Sequence, residues 1–207
     1  MNLERLAGLA EVGRVVGVEP SAAALGHSAR RWPGRVVRGD ALSLPFADVS
    51  FDLVTCFDVL QHLPPGGDVR ALRAFARVLR PGGIVLVRSN GRGWSGDESS
   101  YRLRGLTGRF ERAGFRVLRA SYVNCLPSML QELRGRFPSL SVGARRRAGR
   151  SRPHPSGGGL RIAVPAAPVN RAMGVAAGVE AFLAGNLAVP LPFGHSTLVL
   201  ARKSPDG

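Results

Sequence analysis

Phe51-Asp52-Leu53-Val54-Thr55-Cys56-Phe57, followed at a distance by Asp68 to Leu79, Pro81-Gly82-Gly83 and Ile84-Val85-Leu86-Val87, is the stretch on which the fold turns. The first segment is an apolar run closed by Asp58, short enough for a strand and too continuous for a half-exposed one. Asp68 to Leu79 places its apolar residues at helical spacing, and Pro81-Gly82-Gly83 breaks that pattern. Ile84 to Val87 is again apolar throughout. Strand, helix and strand in this order predict two parallel strands joined by a crossover helix, in a sheet covered on both faces.

Working outward, the same alternation continues. Leu3 to Ala10 has helical spacing, and Arg14 to Val18 reads as a short buried strand ending at Glu19-Pro20-Ser21. Ser21 suits the cap of a helix over Ala22 to Arg31, stopped by Trp32-Pro33-Gly34. Arg35 to Arg38 is a second strand, running into Gly39-Asp40-Ala41. Downstream, Ser99 to Ala113 reads as a helix closed by Gly114, and Phe115 to Val123 as a strand. Residues 138–160, rich in Arg, Pro, Ser and Gly, are expected to form a flexible basic loop. Val169 to Ala184 regains helical character and Ser196 to Ala201 is a last strand. No internal repeat is present, and 207 residues fit one domain.

Composition narrows the function classes. Hydrophobic residues make up 44% and charged residues 21%, which is globular. The formal charge of +15 would suit nucleic acid, but the basicity is diffuse and nearly all arginine, with Lys203 the one lysine. Abundant Ala, Gly and Pro point to coding bias instead. The single cluster, Arg145, Arg146, Arg147, Arg150 and Arg152, lies within the loop segment, where solvation accounts for it. Cys56 and Cys125 sit in apolar runs without metal-like spacing, so reduced buried thiols, a cytoplasmic location and no metal site are expected. The first residues lack a secretory pattern, and no run reaches the roughly 18 apolar residues of a spanning helix. Glu180, Pro190 and Pro192 interrupt the apolar stretch from Val175 to Phe193, favouring a buried helix and turn over membrane contact.

Ligands of open parallel sheets bind at the carboxyl ends of the strands. After the first strand, Glu19 places a carboxylate where it could accept hydrogen bonds from both hydroxyls of a ribose. It could equally be a surface acid ahead of a helix, where it suits the helix dipole. After the second strand, Asp40 could accept from an exocyclic amine while Ala41 and its neighbours cover a purine, or could cap its own turn. After the third strand stand Asp58 and His62. A short helix between them would put both on one face, and His62 would then be a base or a loop-holding hydrogen-bonding group.

These segments carry a family resemblance. Glu19-Pro20-Ser21, Gly39-Asp40-Ala41 with Leu44-Pro45-Phe46, Phe51-Asp52-Leu53-Val54 with Asp58-Val59-Leu60-Gln61-His62, and Arg77-Val78-Leu79-Arg80-Pro81-Gly82-Gly83 resemble successive motifs of the class I S-adenosylmethionine-dependent methyltransferases, in the ubiquinone-biosynthesis-like group (methyltransferase type 11). The likeness runs from about residue 3 to 125, and the segment from Pro168 to Lys203 resembles the carboxyl-terminal helix and strand of such enzymes. It implies a Rossmann-like parallel sheet with an antiparallel last strand and helices on both faces. The implied cofactor is S-adenosylmethionine, contacted by Glu19, Pro20, Asp40, Ala41, Phe57 and His62. Glu19 would take the ribose, Asp40 and Ala41 the adenine, and the backbone near Phe57 the methionine portion. Pro81-Gly82-Gly83 would be a structural turn. The reaction implied is direct methyl transfer to a small-molecule acceptor, with Ser89 to Tyr101 and the 138–159 segment as a lid.

One departure is plain. Family members open with a strand and an Asp-x-Gly-x-Gly-x-Gly loop, whereas Asn2-Leu3-Glu4-Arg5-Leu6 matches the helix after that loop. The first central strand is therefore expected to be missing, through a start assigned too late or a true truncation, and undamaged later motifs favour the former. Marginal folding and weak cofactor binding follow from that expectation. Two other readings stay open: a non-catalytic remnant, and an RNA methyltransferase, which the absence of an Asn-Pro-Pro-Tyr-like tetrapeptide after the third strand disfavours. A nicotinamide enzyme would also carry an acid after its second strand, but not the Gly39-Asp40-Ala41 pattern with Leu44-Pro45-Phe46.

Overall fold

The computed structural model of the chain describes residues 8, 13–91, 101–125, 171, 174–175, 177–180, 182 and 191–205. The expected helix from Leu3 to Ala10 (Gly8 apart) and the basic loop at 138–160 lie outside them. The described residues from 171 to 182 have helical backbone, within the segment expected to be helical.

Six strands and three helices follow in alternation: β1 (Gly17–Glu19), α1 (Ala22–Arg31), β2 (Val36–Arg38), β3 (Phe51–Phe57), α2 (Gly67–Val78), β4 (Leu79–Asn90), α3 (Leu103–Arg112), β5 (Phe115–Val123) and β6 (Ser196–Lys203), with a 3-10 turn at Leu60–His62 between β3 and α2. The sheet is mixed α/β, in two pieces. β1 and β2 pair in parallel, and the other four strands form a sheet in the order β3-β4-β6-β5. β3 and β4 are parallel, while β6 runs antiparallel to both of its neighbours. The expected parallel sheet with an antiparallel last strand is therefore present, and that strand lies inside the sheet between β4 and β5. Among the described residues no strand joins β1 to β3.

Local chemistry accounts for the elements. Ser21 is extended and its Oγ accepts from Ala24 N at 3.3 Å, opening α1 as its hydroxyl suggested. α2 starts at Gly66, whose φ of 76° only glycine adopts without strain. Its residues Ala71, Leu72, Phe75 and Val78 recur at helical spacing and are buried, which fixes the face turned to the sheet. α3 buries Leu106 and Phe110 and ends at Ala113, followed by Gly114 with φ 86°. β4 is longer than its apolar run predicts. Pairing begins at Phe51 with Leu79, slips across Pro81-Gly82-Gly83 and resumes at Leu53 with Ile84, so the turn signal marks an irregularity within one strand.

The core lies on the four-stranded sheet. Cys56, Leu72, Phe75, Leu79, Val85 and Val87 pack with Leu106, Phe110, Phe115, Val199 and Ala201. Phe110 and Phe115 meet edge to face at 5.9 Å, tying α3 to the start of β5. The two-stranded part is different: no residue of α1, β1 or β2 is fully buried.

Candidate functional site

Strand pairing puts two acids at one edge. Glu19 pairs with Arg38 at the carboxyl ends of β1 and β2, and Gly39 N donates to Glu19 O at 3.3 Å. Asp40 follows at once. Both side chains use one oxygen on their own loop: Glu19 Oε1 accepts from Ser21 N at 3.0 Å, and Asp40 Oδ1 accepts from Leu42 N at 2.9 Å. The turn-capping role weighed for Asp40 in the sequence is thus real, Glu19 holds the turn into α1 in the same way, and each leaves the second carboxylate oxygen without a partner among the described residues. Pro20 is exposed beside Glu19, whereas Ala41 is half-buried and packs, with Leu42 and Leu44, against the main core.

Gly39 shows why this turn has no side chain there. A Cβ would stand 2.7 Å from Pro45 Cδ and 3.0 Å from Val18 Cγ1, so any larger residue would displace the loop carrying Asp40. The loop is held from the far side by Arg77 of α2, which donates to Phe46 O and Leu44 O, both at 2.8 Å, and to Asp48 Oδ1 at 2.6 Å. Five donors in a planar fork allow one side chain to fasten three acceptors. Nothing in the sequence around Arg77 marks it as a clamp.

The third strand end is built differently from expectation. Phe57 is half-buried and lies beneath the Arg88 guanidinium, 5.8 Å from its ring centroid. Asp58 sits at φ 57°, a left-handed conformation that costs roughly 1–2 kcal/mol for an L-residue, less for Asp. Its amide donates to Arg88 O at 2.9 Å and its carboxylate forms a two-pronged ion pair with the Arg88 guanidinium. Asp58 is therefore committed to β4. The 3-10 turn forms as expected, but His62 is exposed, and among the described residues its ring nitrogen meets only Gln61 Nε2, at 3.5 Å. No hydrogen bond joins Asp58 to His62 among the described residues.

The turn itself is anchored. Ser89 Oγ donates to Gln61 Oε1 at 2.7 Å, and Tyr101 Oη donates to Leu60 O at 3.2 Å. Burial, then the nearby Asp68 carboxylate, pushes the Tyr101 phenol up to about 12, so it stays a donor at neutral pH. Cys56 is buried at the same strand end and is pushed up to about 12, chiefly by burial and then by Asp58, which makes it an inert core thiol. Both described cysteines are free, and no cluster of metal-binding side chains occurs among the described residues. No helix among the described residues is long and apolar enough to cross a membrane.

Comparison with known proteins gives this edge a context. Residues 2–87 match the family model described as a methyltransferase domain. A Mycolicibacterium smegmatis protein named for S-adenosylmethionine-dependent methyl transfer is 36% identical over 80 residues, covering 38% of this chain and 30% of its own. The demethylmenaquinone methyltransferase of Staphylococcus epidermidis is 46% identical over 52 residues, covering 25% of this chain and 21% of its own. The chain thus spans a third or less of the curated relatives it matches. Among solved structures, the S-adenosylmethionine-dependent methyltransferase of Mesorhizobium loti superposes with a TM-score of 0.52 at 14% identity, covering 91% of this chain and 80% of its own. The cyclase SpnF superposes at 0.55 with 21% identity, covering 98% and 70%. These likenesses show the fold, and the cyclase shows that the fold alone does not fix the reaction.

Proposed function

We propose that the chain belongs to the class I S-adenosylmethionine-dependent methyltransferases, on the match of residues 2–87 to the methyltransferase-domain family model, and that it binds S-adenosylmethionine across Glu19 and Asp40 and serves methyl transfer to a small-molecule acceptor. The observation that carries this reading is the placement of Glu19 at the end of β1 and of Asp40 two residues past the end of the adjacent parallel strand β2, each with a carboxylate oxygen uncommitted among the described residues. Glu19 accepts from the ribose hydroxyls, with Pro20 turning the chain away. Asp40 accepts from the adenine amine, and Ala41, backed by the core, covers the ring face. Gly39 lets the chain pass close to Pro45 and Val18, which holds in place the loop that carries Asp40.

When bound, the cofactor supplies an electrophilic methyl carbon on a sulfonium, so that a new bond to the acceptor forms as the carbon–sulfur bond breaks, its electron pair stays on sulfur and the acceptor's proton is released. The protein's part is alignment. Phe57 and Asp58, locked by Arg88, present a fixed strand end toward the methionine portion, and His62, on the anchored turn, borders the same edge. The described residues supply the nucleoside half of such a site.

Titration with S-adenosylhomocysteine, followed by nuclear magnetic resonance, tests the placement. Saturable binding is expected, with Glu19→Gln weakening it about tenfold through the loss of charge-assisted hydrogen bonds. Full affinity in the Glu19→Gln and Asp40→Asn variants would refute the placement of the nucleoside.

A further inference from the structure

Just past the end of β3 the anchored 3-10 turn opens into a cleft of about 820 Å³, bounded by that turn, by the first turn of α2 and by α3 along its length from Arg102 to Arg112. Its lining joins two chemistries: the apolar Leu60, Leu63, Pro64 and the ring of Tyr101, and the cations Arg102, Arg109 and Arg112. Asp68 is the one acid lining it. That acid is already neutralised: its Oδ2 pairs with Arg109 Nε at 2.6 Å, with both groups largely out of water. Arg109 also lies over the Tyr101 ring, 5.2 Å from its centroid, so its position is fixed from two sides.

Two cations remain for a ligand. Arg102 has no partner for its guanidinium among the described residues, and Arg112 uses only Nε, donating to Gly108 O at 3.1 Å within its own helix. The helix starts add little: Val69 N of α2 already donates to Asp68 Oδ1 at 2.7 Å, and Leu103 N of α3 to Tyr122 Oη at 3.1 Å. Guanidinium groups and apolar side chains in one cleft fit an amphiphilic anion.

We propose that this cleft receives the methyl acceptor, and that the acceptor is a small organic anion with an apolar body and a carboxylate or phosphate head. The body lies against Leu60, Leu63 and Tyr101, and the head meets Arg102 and Arg112. The acceptor role rests on the donor site set out above; the anion preference of the cleft does not. Gln61 lines the cleft, its Oε1 accepts from Ser89 at the end of β4, and its Nε2 lies 3.5 Å from the ring of His62, which the donor reading sets beside the methionine portion.

The test uses the full chain and three probes that share one ring system: 1-naphthoate, 1-naphthyl phosphate and neutral 1-naphthamide, titrated by fluorescence. At least one anion is expected to bind about tenfold more tightly than the amide, as for two charge-assisted contacts, and the better of the two identifies the head group. The exposed pair Arg102→Ala and Arg112→Ala, combined, abolishes that preference, while Arg104→Ala, on the same helix but outside the cleft, keeps it. Equal binding of amide and anions, or a preference that survives the double substitution, overturns the anion site. Saturating S-adenosylhomocysteine leaves naphthoate bound if the cleft serves the acceptor; displacement overturns that role. A chain that prefers the anions yet shows no response of the donor analogue to Glu19→Gln separates failure of the donor reading from failure of this one.

Discussion

Single side chains here act mostly through partners far away in sequence. Arg77 reaches loop atoms 29 to 33 positions back, and Arg88 reaches Asp58 at 30. Arg77→Ala is expected to cost about 1–2 kcal/mol in urea unfolding, with Arg77→Lys recovering less than half, since an ammonium cannot fork to three acceptors. Cys56 sets a pH limit. Its folded-state value, near 12, lies above that of an unfolded thiol, so the stability it contributes is complete below about pH 9 and is lost as pH rises toward 12. Alkaline unfolding monitored by circular dichroism should therefore begin above pH 9, and Cys56→Ala should shift its onset upward at some cost in neutral stability. The acids at strand ends were legible in the sequence because they interrupt apolar runs. The arginine partners were not, because in a chain with 29 basic residues nothing local distinguishes a clamp from a solvated charge.

Elements were readable where periodicity was strong and misjudged where a turn signal sat inside a strand. The β3, α2 and β5 boundaries lie within a residue of the apolar or helical patterns that announced them, because each buries one well-defined set of side chains. β4 was read only from Ile84. Pro81 and Gly82 break the ladder locally, but Leu79 before them is buried and still paired with Phe51, a contact that no window confined to the strand could reveal. α3 depends on two anchors, Leu106 and Phe110, with no accessible surface. Phe110→Ala should destabilise the chain by about 3–5 kcal/mol in chemical denaturation, through lost burial and the cavity it leaves against Phe115. Gly39→Ala should be disproportionately harmful for one methyl group, because Pro45 and Val18 already occupy its space. A lowered melting midpoint, with loss of S-adenosylhomocysteine response, is the expected readout.

At the scale of the molecule, cohesion is uneven. The four-stranded sheet holds the buried core, whereas α1, β1 and β2 bury no residue fully although they carry Glu19. Amide exchange should accordingly be fast across β1 and β2 and slow in β4 and β6, with S-adenosylhomocysteine slowing the former preferentially. Uniform protection across both sheets would contradict this. The placement of β6 follows from pairing over distances that a linear pattern does not encode. That placement orders events in time. β6 lies between β4 and β5, and Asn124 bonds to Ser196 across 72 positions. As the chain emerges from a ribosome, one ladder edge of each flanking strand must wait until residues 196–203 arrive, so the sheet closes late, and a nascent chain stalled before Ser196 is a natural client for a chaperone.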